Sequence, residues 1–170
     1  GTDITLVGKN ESYSPVVTFG INQSDAVTSV SRSLRDDTYR NFKISKEIEV
    51  IPNFIDLQRF SKLKKDHFRR AIAPNNQRII VHASNFRAVK RVSDVVTVFN
   101  KIHAEIPSEL LLIGDGPERS RVEKECRESI GCDDIRFLGK LEAVEEVLSV
   151  ADLFILPSES ESFGLAALEA

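Results

Sequence analysis

Ile79-Ile80-Val81-His82-Ala83-Ser84-Asn85-Phe86-Arg87-Ala88-Val89-Lys90-Arg91-Val92 opens on a continuous apolar run, crosses a cationic loop and enters a stretch of helical period. The run 79–82 carries β-branched residues and shows no polar alternation, the pattern of a strand buried on both faces. Beyond the loop, Val92, Val95, Val96, Phe99, Ile102 and Ile106 recur at steps of three and four, while Lys90, Arg91, Asp94, Lys101 and Glu105 take other positions. That is one buried stripe of an amphipathic helix. Three further strand-like runs follow at 110–113, 135–138 and 153–156. Between them lie helix-like stretches at 117–130, opened by Pro117 and closed by Gly131, and at about 143–150. Strands alternating with helices predict a parallel sheet covered on both faces and joined by right-handed crossovers.

Upstream, 25–31 and 47–51 also read as strands, separated by a charged helical stretch that starts near the cap candidate Ser31. They look like the tail of an earlier α/β unit. The connection between the units holds Pro52, Asn53, Pro74 and Asn75, which suits a hinge. The expected organisation is the end of one domain at 1–52, a hinge at 53–76 and the first part of a second domain at 77–170. The fold class is α/β, with parts of two Rossmann-like domains built on parallel sheets.

Composition narrows the function classes. The chain has 170 residues, 41% of them apolar and 29% charged, with a formal charge of −3, which describes a globular protein. No run approaches the ~20 apolar residues of a membrane span, and the first ten residues lack the layout of a signal peptide, so a cytoplasmic setting is expected. Cys126 and Cys132 match no zinc spacing and are read as reduced thiols. His67, His82 and His103 have no acidic or cysteine companions at ligand spacing, so no metal and no cofactor are expected. The basic run 59–70 holds six cations against Asp66, but with Phe60 and Phe68 as its only aromatics it is read as a solvated linker rather than a nucleic-acid surface. Methionine is absent, and the helix-like 162–170 carries no stop signal; the chain is expected to be part of a longer protein.

In parallel α/β sheets, ligands bind beyond the carboxyl ends of the strands. Gly114-Asp115-Gly116-Pro117 occupies the place of a dinucleotide fingerprint but has Arg119 where the third glycine belongs, so it reads as a strand-to-helix turn. The loop 84–91 sets three cations ahead of a helix, an arrangement favourable to a multiply charged anion. Pro157-Ser158-Glu159-Ser160-Glu161-Ser162-Phe163-Gly164-Leu165 leads from a strand into a helix. There the amides of Phe163, Gly164 and Leu165 can face a phosphate, and Glu161 and Glu169, eight apart, can each accept from paired hydroxyls.

Glu161-Ser162-Phe163-Gly164-Leu165 with Glu169 resembles the E-x7-E signature of retaining glycosyltransferases of family 4, enzymes of the GT-B fold with two facing Rossmann-like domains. Ile51-Pro52-Asn53-Phe54-Ile55-Asp56 is similar to that family's interdomain I-P-N-G-V-D. Leu112 to Pro117, Phe137-Leu138-Gly139 and Ala151 to Ser158 follow in the family's order. Within it, Gly1-Thr2-Asp3-Ile4-Thr5 resembles the end of H-G-T-D-I-T. Ser84 to Arg87, with Val89 to Val92, resembles the S-N-F-R-x-V-K-R-V loop of the N-acetylglucosaminyl L-malate synthases of bacillithiol synthesis. Asn85 stands where the wider family has arginine, with Arg87 two residues on.

The resemblance implies transfer of N-acetylglucosamine from its UDP form to L-malate with retention, without a metal. It implies Arg87, Lys90 and Glu161 as catalytic, and Phe137, Leu138, Ser162, Phe163, Gly164, Leu165 and Glu169 as donor-binding. Thr2 and Arg32 are the acceptor candidates. The implied partners are a UDP-sugar and a small hydroxy acid, with no nucleic acid, no membrane span and a homo-oligomer as one allowed assembly. The fragment is expected to be inactive, since the family's histidine would precede Gly1. The alternatives are a family 4 enzyme with another sugar nucleotide and acceptor, or a non-catalytic nucleotide-binding α/β module.

Overall fold

The computed structural model of the chain describes residue 4 and residues 7–61 and 66–170. It divides into two compact units, one of Gly1–Phe54 with Glu161–Leu165 and the other of Ile55–Ser160 with Ala166–Ala170.

In the first unit, helix α1 (Ser14–Gln23) precedes strand β1 (Val27–Ser29), helix α2 (Arg32–Asn41) and strand β2 (Ile48–Val50). The two strands pair in parallel, Val27 opposite Ile48 and Ser29 opposite Val50, so α2 is the crossover of a β-α-β unit. Ser31 caps α2: its backbone is extended and its Oγ accepts from the Leu34 amide at 3.1 Å. The Tyr39 hydroxyl donates to the Lys46 carbonyl at 3.1 Å and accepts from the Ile48 amide at 2.8 Å, tying the end of the crossover to the start of β2.

The second unit carries helix α3 (Asp66–Ile72), strand β3 (Arg78–Ala83), helix α4 (Val92–His103), strand β4 (Ser108–Ile113), helix α5 (Arg119–Arg127), strand β5 (Ile135–Gly139), helix α6 (Val144–Leu148) and strand β6 (Leu153–Phe154). The short helix α7 (Leu165–Glu169) comes last, with Leu165 counted in the first unit and the rest in the second. The four strands form one parallel sheet in the order β5-β4-β3-β6. This is the α/β class with parallel sheets that the sequence predicts.

Strand alternation sorts the core into two layers. Ile80, Leu110 and Leu112 face Val92, Val95, Val96 and Phe99 of α4 and Val122 of α5. Ile79, Val81, Leu111 and Ile113 face Ile72 at the end of α3 and Val147 and Leu148 of α6. Each wholly buried side chain of this kind contributes about 1.5–3 kcal/mol.

Four local expectations change. The basic run is not all solvated linker: within it α3 lays Phe68 and Ile72, four apart, against the second core layer. Arg69 then donates to the Val150 carbonyl at 2.7 Å and pairs with Asp152 at 2.7 Å. Burial acts to raise the Asp152 carboxyl, but the Ile79 amide, Arg69 and Arg78 outweigh it and hold it below its ordinary value. The second crossover helix starts at Arg119 rather than Pro117, after a turn closed by the Arg119 amide on the Gly116 carbonyl at 3.1 Å. Strand β6 pairs only at Leu153 and Phe154 with Ile80 and Val81, and Pro157 cannot donate to a continuing ladder. Finally, Cys126 and Cys132 are disulfide-bonded rather than reduced, because the turn at Gly131 lies close against Phe99, Asn100 and His103 of α4 and the two Cα atoms come to 5.2 Å.

Candidate functional site

The loop after β3 is held by backbone bonds to its neighbours. The Ser84 amide donates to the Ile113 carbonyl at 3.0 Å, the Glu118 amide to the Phe86 carbonyl at 3.0 Å and the Glu159 amide to the Val89 carbonyl at 2.9 Å. Phe86 takes φ 36° with its ring wholly buried, and Arg91 takes φ 52° where the loop turns into α4. Between them the Lys90 amide donates to the Arg87 carbonyl at 2.8 Å, closing a single 3-10 turn. Arg87, with extended backbone, is the residue that enters this turn and Lys90 the one that ends it, so one short turn carries both cations. Arg87 is exposed and Lys90 half-buried.

The glycines of Gly114-Asp115-Gly116 answer a packing need. A Cβ on Gly114, which has φ 121°, would lie 1.8 Å from the Ser84 carbonyl oxygen, and one on Gly116 would lie 2.1 Å from that of Asn85. Backbone-to-backbone contact at that range excludes any side chain. The turn after β4 is thus the bed on which the cationic loop rests, rather than a dinucleotide fingerprint.

At the end of β5, Phe137 pairs opposite Leu112 and Gly139 opposite Ile113, so Leu138 is the extra residue of a β-bulge. Phe137 packs its ring on the α4–α5 layer and Leu138 its side chain on the opposite one. The bulge leaves the Leu138 main chain out of the ladder at the carboxyl end of an edge strand, where a planar ligand with hydrogen-bonding edges can be met by backbone groups. Arg119 lies over the Phe137 ring, 6.0 Å from its centroid, and is tied to Glu123 at 2.7 Å.

Glu169, in α7, has Arg59 and Glu145 as its charged neighbours; burial raises its carboxyl above the ordinary range, Arg59 opposes this and Glu145 adds to it. It lines a cavity of about 220 Å³ with Phe60, Glu145 and Leu148. In the first unit, the Ser31 Oγ that caps α2 also donates to the Ser162 carbonyl at 2.7 Å, so Glu161–Leu165 is pinned beside the start of α2. Gly164 takes φ 84° within that segment. Arg32, the first residue of α2, is exposed next to this contact. Thr2 lies outside the described residues. Arg87, Lys90, Phe137, Leu138 and Glu169 therefore belong to the second unit, and Arg32, Glu161, Ser162, Phe163, Gly164 and Leu165 to the first.

One feature of the loop has no counterpart among the sequence candidates. His82 is wholly buried at the end of β3, with Nδ1 2.8 Å from the Ile155 carbonyl oxygen and Nε2 2.8 Å from Ser84 Oγ. The signal was present as a histidine and a serine two apart at a strand end, on one face.

The family model for "Glycosyl transferases group 1" matches residues 64–170, and that for "Glycosyltransferase Family 4" matches residues 6–59. The chain is 43% identical over 171 residues to the N-acetyl-alpha-D-glucosaminyl L-malate synthase of Bacillus anthracis, covering all of this chain and 45% of that protein. It spans about half the length of the curated relatives it matches. Among solved structures, the HepE protein of Anabaena in complex with UDP and glucose matches with a TM-score of 0.84 at 17% identity, over 98% of this chain and 47% of that one. Sucrose-phosphate synthase from Thermosynechococcus elongatus matches with a TM-score of 0.79 at 24% identity, over 94% of this chain and 41% of that one. These likenesses are of fold.

Proposed function

Since the chain belongs to the group 1 glycosyl transferases, we propose that the whole protein is a retaining glycosyltransferase that moves N-acetylglucosamine from UDP-N-acetylglucosamine to L-malate in bacillithiol synthesis. The observation that carries this reading is the 43% identity, over the whole chain, to a protein with that activity in its name. In this reading residues 1–52 are the end of the acceptor domain, 53–76 the connection and 77–170 the first part of the donor domain.

The resemblance of the motifs supports a division of labour. Arg87 and Lys90, at the two ends of a braced turn, grip the donor diphosphate and offset the charge it gains as the bond to the anomeric carbon breaks. The main chain of Phe137 and Leu138, opened by the bulge, meets the uracil edge. Glu161 accepts from sugar hydroxyls, Glu169 from those of the ribose, and the amides of Phe163, Gly164 and Leu165 with Ser162 complete the donor grip. The malate hydroxyl oxygen bonds to the anomeric carbon, UDP departs, and the hydroxyl proton leaves with it.

The test is release of UDP by the full-length protein from UDP-N-acetylglucosamine with and without L-malate. Malate-dependent release is expected; release that requires another sugar nucleotide or another acceptor leaves only the broader family. Two variants assign roles. Glu169→Ala weakens UDP and UDP-sugar binding by about 1–3 kcal/mol, the range for hydrogen bonds to a charged group, and unchanged affinities measured by calorimetry remove its role. Arg32→Ala raises the KM for malate while UDP affinity stays near the wild-type value, because a dicarboxylate needs a cation in its site. Unaltered malate kinetics would take Arg32 out of the acceptor site.

A further inference from the structure

We propose that His82 and Ser84 are a positioning pair that sets the path of the loop presenting Arg87 and Lys90; the inference rests on the reading of that loop as the diphosphate grip. A carbonyl oxygen only accepts, so the contact of 2.8 Å to Ile155 requires the proton on His82 Nδ1. In the neutral ring Nε2 is then an acceptor, and the Ser84 hydroxyl, 2.8 Å away, is its donor. The Ser84 oxygen in turn accepts from the Phe86 amide at 3.3 Å. The result is a directed chain from the Phe86 amide through Ser84 and His82 to the Ile155 carbonyl just beyond β6. It links two strand ends that are neighbours in the sheet but 73 residues apart in sequence.

What this chain of bonds restrains is the residue before Arg87. Phe86 holds φ 36°, a conformation a bulky residue adopts only when its surroundings impose it. Its amide is held by Ser84, its carbonyl by the Glu118 amide, and its ring is buried 6.2 Å from the His82 ring. Arg87 follows directly, and its carbonyl closes the turn that carries Lys90. Loss of the Ser84 hydroxyl releases the Phe86 amide and leaves His82 Nε2 buried without its donor. The relaxation passes first to Arg87 and Lys90, because the far side of the loop is still held by Glu159. His82 is wholly buried and Ser84 bonds to it and to the Phe86 amide, so the pair acts through the two cations.

The experiment compares UDP with uridine binding by calorimetry on the full-length protein, for wild type, Ser84→Ala, Ser84→Thr and His82→Asn. Ser84→Ala is expected to weaken UDP binding about five- to tenfold and to leave uridine binding unchanged, the loss of one directed hydrogen bond felt only at the diphosphate. Ser84→Thr keeps the hydroxyl and restores UDP affinity. His82→Asn keeps a donor for Ile155 but cannot reach Ser84, so it repeats the Ser84→Ala loss, and combining the two adds nothing further. Equal losses for UDP and uridine, or UDP affinity unchanged in Ser84→Ala, overturn the proposal; if His82→Asn does not fold, the two Ser84 variants decide. A wild type that selects GDP or ADP overturns the UDP reading alone, and the same comparison is then made with that nucleotide and its nucleoside. A wild type that binds no nucleoside diphosphate overturns both.

Discussion

Lys90→Gln and Arg87→Gln, made separately in the full-length protein, are each expected to lower kcat by about 10²–10³-fold while the KM for the sugar nucleotide changes far less. The reason is differential binding. In the ground state the donor diphosphate already carries its charge and is partly solvated, whereas in the transition state further negative charge develops on the departing oxygen, and only then is a fixed cation worth most. The structure fixes these cations through the backbone: one 3-10 turn carries both, and the amides of Glu118 and Glu159 brace it at the Phe86 and Val89 carbonyls. Glutamine keeps a polar, hydrogen-bonding end on a somewhat shorter side chain and removes the charge, so the comparison tests the charge first. Arg87 is exposed, so its replacement leaves the thermal midpoint at the wild-type value. Steady-state rates of UDP release provide the measurement. A raised KM with unchanged turnover at saturation would show that the cations dock the donor and do no more.

Gly114→Ala is expected to destabilise the fold by about 2–6 kcal/mol, the sum of ~1–3 for a non-glycine residue at a disfavoured φ and ~1–3 for overpacking. Both causes act at once. The backbone sits at φ 121°, and the new methyl would lie 1.8 Å from the carbonyl oxygen of Ser84, a main-chain atom that cannot rotate away. Since the Ser84 amide is itself bonded to Ile113, relief has to come from shifting the cationic loop off its bed. Donor affinity therefore falls even where the protein still folds. Gly20 is the control: it lies in α1, a Cβ there meets nothing within 4 Å, and Gly20→Ala stabilises by about 0.5–1 kcal/mol through helix propensity. Urea midpoints of the two variants measure the contrast. A Gly114→Ala midpoint equal to the wild type's would mean that the loop and the turn after β4 do not meet as described.

Local pattern was enough to locate most of the elements of the second unit. The run 79–82 lies within β3, 110–113 within β4, and the stripe from Val92 to Phe99 is the buried face of α4, because each buried side chain leaves its mark in sequence at the period of its own element. The cap at Ser31 was legible for the same reason, its bond reaching only to Leu34. The loop bearing Arg87 and Lys90 could be picked out because both cations lie in one short stretch after a strand. Periodicity says that a side chain is buried but not against what. The burial of Phe68 and Ile72 in the same layer as Ile79 and Val147, with Arg69 clamped to Asp152, depends on a partner 83 residues away. The bulge at Leu138 depends on the register that β4 imposes on β5. The bond between Cys126 and Cys132 depends on how tightly the turn at Gly131 folds back on α4. Most of all, the need for glycine at 114 and 116 and the link from His82 to Ile155 arise from atoms at the ends of different strands and in the loops that follow them, brought within hydrogen-bond or contact distance. Such contacts exist only once the sheet has closed, since a hydrogen bond or a steric limit acts over a few ångströms of space and is indifferent to distance along the chain.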